Sequence, residues 1–220
     1  MSKKMHYLLY TYFLARFCQA QVLLNFFFLV FAIFAEVTAS AQQTTYTDSL
    51  RDYQANYTKE HYVVRGKDKE FLHFFPVDEQ YRVKARFERV YSFNWFEIPT
   101  SAKKSQTYRL YGVLHFTLHD SALTLQVYQS KDLMNSKQFA DYLFVPFTDK
   151  TCGTESYENG RYLDLRMDDI HGTECILDFN KAYNPYCAYV SNVYNCPIPP
   201  KENDLPVFLR SGEMKYGKAH

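Results

Sequence analysis

A chain of 220 residues with 25 Lys and Arg against 24 Asp and Glu has a formal net charge of +1 and no basic cluster, which argues against nucleic acid, since holding phosphates takes several Lys or Arg on one surface. The length suits one domain with a sizeable core. The marked bias is aromatic, with 20 Tyr and 19 Phe, as expected of a β core or of a tyrosine surface that meets carbohydrate or the cell envelope.

Residues 1–41 run from Lys3 and Lys4 through Arg16 and the apolar stretch Val22–Ala35 to Ala39-Ser40-Ala41. A positive flank, an apolar centre and a small-x-small site read as a secretory signal cleaved before Gln42, giving an exported protein, periplasmic or secreted. The alternative is an uncleaved N-terminal anchor, the only route by which this chain meets a membrane; a spanning helix takes about 20 apolar residues, and Val22–Ala35 is shorter.

Residues 42–70 form a helical arm and link. Leu50, Tyr53, Tyr57 and His61 recur at three or four positions, so a short amphipathic helix is expected over Thr47–Val64, capped by Thr47 or Asp48. Arg65–Lys69 reads as a charged turn. Phe71, Phe74 and Phe75 then lead into Pro76-Val77-Asp78, an aromatic plug and turn.

From 71 to 216 the pattern is that of a single all-β domain, followed by a tail at 217–220. Tyr81–Phe87 alternates apolar with basic residues, one face buried and one wet. Further strands are expected at Asn94–Pro99, Thr107–Leu118, Leu123–Gln129, Tyr142–Phe147, Arg161–Met167, Glu174–Asn180 and Val207–Arg210. Turns fall at His119–Ala122 and Asp168–Gly172, and a helical crossover at Lys131–Phe139. This is a mainly β fold, an antiparallel sandwich or partly open barrel with a short N-terminal helix.

Cleavage of the signal leaves Cys152, Cys175, Cys187 and Cys196, which permit three pairings in an oxidising compartment. Cys187–Cys196 is the favoured disulfide, its short loop flanked by Pro185 and Pro197; a thiol role is the alternative in a reducing compartment. Neither a metal nor a cofactor is expected. The Cys187 and Cys196 spacing lacks the close chelate of a zinc site, and His115 and His119, on one strand face, stand about 13 Å apart.

The densest polar stretch is Asp178–Asn203, with Asp-Phe-Asn-Lys-Ala-Tyr-Asn-Pro-Tyr-Cys followed by Cys-Pro-Ile-Pro-Pro-Lys-Glu-Asn. With Phe74–Asp78, Tyr81–Phe87 and Gly160–Asp164, it resembles the bacterial and archaeal family known as domain of unknown function 1684, over about Thr47–Tyr216. The resemblance implies no activity, only that a functional surface lies near the C-terminal motif. The chain departs from the family wording at Glu158-Asn159-Gly160, and Cys152 and Cys175 are its own.

If Arg161–Met167 and Glu174–Asn180 pair as a hairpin, Arg161 and Asn180 come to one end of the sheet. The proline-braced loop then returns Glu202 beside Asn184. The candidate ligand site is therefore Arg161, Asp178, Asn180, Asn184, Glu202 and Asn203, with the Arg161 fork orienting a small polar or anionic ligand, or an envelope glycan. The competing expectation is that these residues satisfy one another, Arg161 pairing with Asp164 or Asp178. The chain thus reads as a noncatalytic exported domain that binds a ligand or associates with the envelope. One alternative is a hydrolase or transferase using Asp178, Glu202 or Cys187; the other is a purely structural motif.

Overall fold

The computed structural model describes residues 45–102 and 104–218; the apolar segment and cleavage site expected within 1–41 lie outside them. From Ser49 on, the described residues form one compact unit. Residues 45–60 are α-helical (α1). The helix stops short of Val64 because the His61 ring takes over as acceptor: its Nδ1 receives the Val64 amide at 2.9 Å, which closes a turn in place of the next helical bond. No helix among the described residues is long and apolar enough to cross a membrane.

The rest is a mainly antiparallel sheet that does not close into a barrel. Its strands are β1 (Arg82–Arg89), β2 (Phe96–Ile98), β3 (Gln106–Leu118), β4 (Ser121–Ser130), β5 (Tyr142–Asp149), β6 (Arg161–Arg166), β7 (Ile170–His171), β8 (Glu174–Asp178) and β9 (Asp204–Leu205). The order is β6-β5-β4-β3-β1-β8-β7, with β2 paired to β3 and β9 running parallel to β5. Alternation decides what each face buries. Inward-facing Phe87, Leu114, Leu125, Val145, Leu163 and Leu177 belong to one large core. Outward-facing Tyr108, Tyr128, Phe144 and Tyr162 build a second, aromatic layer on the other face.

A bulge lets β3 serve both layers. Leu110 pairs with Tyr128 and Gly112 with Val127, so one extra residue, Tyr111, is inserted. Even-numbered residues before it (Tyr108, Leu110) join the outer layer, and those after it (Leu114, Phe116, Leu118) face the core.

Three expected elements differ. The segment Val207–Arg210 is not a strand; the last strand is Asp204–Leu205. The crossover at Lys131–Phe139 reduces to one 3-10 turn, Leu133–Asn135. Most consequentially, β6 and β8 are not a hairpin. All six residues of β6 pair with β5, and β8 pairs with β1 over five residues and with the two-residue β7. The two strands are near neighbours in sequence but lie toward opposite ends of the curled sheet, where Leu163, Leu165 and Leu177 enter the same core.

Candidate functional site

On β6 the alternation sends Arg161 inward with Leu163 and Leu165, and Asp164 outward with Tyr162. The expected pairing of Arg161 with Asp164 or Asp178 is therefore corrected: its partner is Asp149 at the end of β5, at 2.9 Å, with both side chains wholly buried. The guanidinium also donates to the carbonyls of Ser211 (2.5 Å), Glu213 (3.1 Å) and Leu209 (2.8 Å), between the rings of Phe75 and Phe147. Gly212 lets the segment that carries these carbonyls pack against Phe179 and Ala182. Its φ of +77° suits glycine, and a Cβ there would sit 2.5 Å from the Ala182 carbonyl oxygen. Arg161 ties the C-terminal segment to the sheet and lines no cleft among those found.

The other five residues of the expected site are spread over the molecule. Asn180 is buried, receives the Asp78 amide (3.1 Å) and donates to the Asp78 carbonyl (2.8 Å), clamping the turn before β1. Asn184 donates to the Met214 carbonyl at 2.8 Å. Asn203 receives the Gln126 amide at 2.7 Å and donates to the Gln126 and Pro146 carbonyls. These amides replace missing backbone partners where irregular chain crosses the sheet. Asp178, half-buried, accepts from the Asn180 amide and lines one cleft; exposed Glu202 lines another, with Phe96 and Tyr128. The expected convergence is not what the structure places. Cys187 and Cys196 are disulfide-bonded, and their loop is pinned by the Ser101 hydroxyl, which receives the Cys196 amide at 3.2 Å.

Asn184 points to a residue with no motif around it. The Glu213 carboxylate, fully buried, accepts the Asn184 amide (2.9 Å), the Tyr189 phenol (2.7 Å) and, from α1, the Tyr57 phenol (3.1 Å). Burial pushes its pKa up to about 7 despite these donors. Beside it His61 packs edge-on against Tyr57 and Tyr189; burial and the Lys69 charge lower its pKa to about 4, so the ring is neutral.

The outward face of β6 differs. Asp164 is solvent-exposed and accepts two phenols on one oxygen, Oδ1: Tyr142 at 2.6 Å and Tyr183 at 2.7 Å. Tyr183 is brought there by the C-terminal motif, whose backbone exchanges two hydrogen bonds with Tyr162 (2.9 and 3.1 Å). The rings around Asp164 crowd it enough to raise its pKa, against the pull of the two phenols and Arg166. Burial and the charges of Asp164 and Asp178 also raise that of Tyr53 to about 12, so this phenol stays a donor at neutral pH.

Three adjoining clefts share Tyr183. One, of about 460 Å³, lies between β6 and β8 and is lined by Asp164, Asp178, Arg82, Lys181 and Tyr53. The second, about 340 Å³, runs from Asp164 along α1 past Tyr53, Tyr57 and Glu60. The third, about 410 Å³, lies between the outer aromatic layer and the disulfide loop. No group of three or more His, Cys, Asp or Glu suited to a metal ion occurs among the described residues. The sequence reading missed Asp164, Tyr183, Tyr142 and Glu213 as site or network members; the period-two pattern of β6, which separates Arg161 from Asp164, was the available signal for the first.

The family described as "Protein of unknown function (DUF1684)" matches residues 68–214. The chain belongs to this family. The matched span takes in the whole sheet and the motif that carries Tyr183, and is narrower than the Thr47–Tyr216 expected, leaving α1 outside. A solved member of the structural neighbourhood is an uncharacterized protein of Haloarcula marismortui, known from a solution NMR structure. It is 32% identical, with a TM-score of 0.59, over 80% of this chain and 95% of the other. Comparison with curated proteins gives no match.

Proposed function

We propose that the protein is a noncatalytic ligand-binding domain whose site is the tyrosine-lined surface around Asp164, beside the C-terminal motif. The observation that carries this reading is the Asp164 carboxylate. Two phenols brace it on Oδ1, among the described residues none is bonded to Oδ2, and Asp164 lines two adjoining clefts. A charged group fixed in orientation, half satisfied and surrounded by rings is what a polar ligand site needs. Tyr183 and Tyr186 of the motif line these clefts, in keeping with a functional surface near it. The thiol mechanism loses its nucleophile to the Cys187–Cys196 bond.

Export is part of the same proposal, supported by the order of charged, apolar and small residues in 1–41 and by a disulfide suited to an oxidising compartment. Intact mass of the protein from its native cells is expected to begin at Gln42; a membrane-integral form that keeps Met1–Ala41 rejects the cleaved signal. For the ligand, a thermal-shift screen of sugars, amines, amino acids and carboxylates on the full chain is the test. A ligand at 100 times its Kd adds about 2.7 kcal/mol. Stabilisation that survives in Glu202→Gln and disappears in Asp164→Asn supports the site, and a screen without any stabilising compound rejects the reading.

A further inference from the structure

The cleft that runs from Asp164 along α1 has a composition unlike its neighbours. Its lining includes the tyrosines Tyr53, Tyr57, Tyr62, Tyr183 and Tyr186, the carboxylates Glu60 and Asp164, and His61, with no Lys or Arg. The His61 ring is neutral and receives the Val64 amide on Nδ1, so it brings no positive charge. Arg166, on the same face of β6 as Asp164, is engaged with Asp141 at 2.7 Å. Both phenols that brace Asp164 occupy Oδ1, so among the described residues Oδ2 remains as an acceptor. Anionic oxygen beside the negative faces of several aromatic rings favours a cation, and the compact ammonium of a protonated amine can satisfy both at once. The molecule already uses this chemistry next door, where the Lys181 ammonium lies 5.6 Å from the centre of the Tyr53 ring.

Resting on the ligand-binding reading above, we propose that this cleft takes a small organic ammonium, its N–H groups donating to Asp164 Oδ2 and its charge lying among the tyrosine rings. The anionic ligand expected from Arg161 has no counterpart here, because that guanidinium is buried against Asp149 and three carbonyls.

The probe is butylammonium at pH 7, titrated calorimetrically into the full chain beside butan-1-ol, which has the same carbon chain and a neutral head. Butylammonium is expected to bind at least tenfold more tightly than butan-1-ol. Asp164→Asn should weaken it at least tenfold: the amide oxygen still accepts from Tyr142 and Tyr183, so the brace survives while the charge goes. An unchanged melting temperature for that variant separates lost charge from lost structure, and Glu202→Gln, in a different cleft, should leave binding as it was. Equal affinity for amine and alcohol, or butylammonium binding that is unaffected by Asp164→Asn, overturns the ammonium assignment. Stabilisation by a sugar or carboxylate without any response to butylammonium also overturns it and leaves the ligand-binding reading standing. No response to any compound of the screen ends both.

Discussion

Arg161 and Asp164 stand three residues apart on one strand, and the fold treats their charges in opposite ways. Arg161 faces the core and meets a carboxylate and three carbonyls; Asp164 faces out and is satisfied on one oxygen alone. A charge that the protein buries among fixed partners contributes to architecture. A charge that it orients but leaves half open is available to something else. The difference follows from the period-two alternation of β6, so neighbouring positions in sequence belong to different jobs.

The comparison breaks most visibly if the buried member proves dispensable. Arg161→Ala removes the counter-charge of buried Asp149, which among the described residues keeps only the Thr151 and Leu209 amides, and takes the guanidinium from three carbonyls, and is expected to lower the unfolding free energy by about 3–5 kcal/mol in urea titration; a loss under about 1 kcal/mol would contradict the account of this node.

Next in size is Glu213, whose effect depends on pH. Its folded pKa of about 7 lies above the ordinary 4.5 of a glutamate, so the native state binds the extra proton. Its contribution is therefore fully present below about pH 4.5 and is lost as pH rises through 7. His61 acts in the other sense. With a folded pKa near 4 against 6.5, its stabilisation is present above 6.5 and lost as pH falls through 4. The two slopes oppose each other between about pH 4.5 and 6.5, which keeps the wild-type profile shallow there. Comparing wild type with Glu213→Gln isolates the first: the wild-type advantage should fall by on the order of 3 kcal/mol from pH 4 to pH 8. A constant difference across that range would show that Glu213 titrates normally.

The disulfide comes third. Replacing Cys187 and Cys196 by Ser opens a loop with a sequence separation of nine and should cost about 2–3 kcal/mol, measured by denaturant unfolding without reductant; equal stability of the two proteins would mean the bond constrains little. Smallest is Asp164→Asn, expected to stay within about 0.5 kcal/mol of wild type. A large loss there would move Asp164 from the open class to the class of structural charges and sharpen the comparison against the ligand site.

Much of the fold was legible because it rests on short-range pattern. The alternation in Tyr81–Phe87 and Leu123–Gln129 and the apolar run Tyr142–Phe147 carry strand assignments, and Leu50, Tyr53, Tyr57 and His61 mark the helix face. The candidate site was less legible, since it depends on which distant segments meet. Adjacency suggested a hairpin of β6 with β8, whereas β6 found β5 and β8 found β1. The amides Asn180, Asn184 and Asn203 looked like a recognition surface, yet the NH2 of each is buried and donates to a backbone carbonyl. Glu213 sits in Ser-Gly-Glu-Met with no local pattern; its importance arises from Tyr57, 156 positions earlier. The family match adds the relationship and the extent of the shared domain, 68–214, without an activity.

The acceptors of Arg161 also set an order of events during synthesis. The three carbonyls that receive its guanidinium come 48, 50 and 52 positions later in the chain. Until that stretch has left the ribosome, closing the core around β6 would bury a guanidinium with Asp149 as its sole partner, a costly state. The sheet is thereby held back from premature completion. Under the export proposed above, this delay would keep the chain loose until the segment 209–213 has been made.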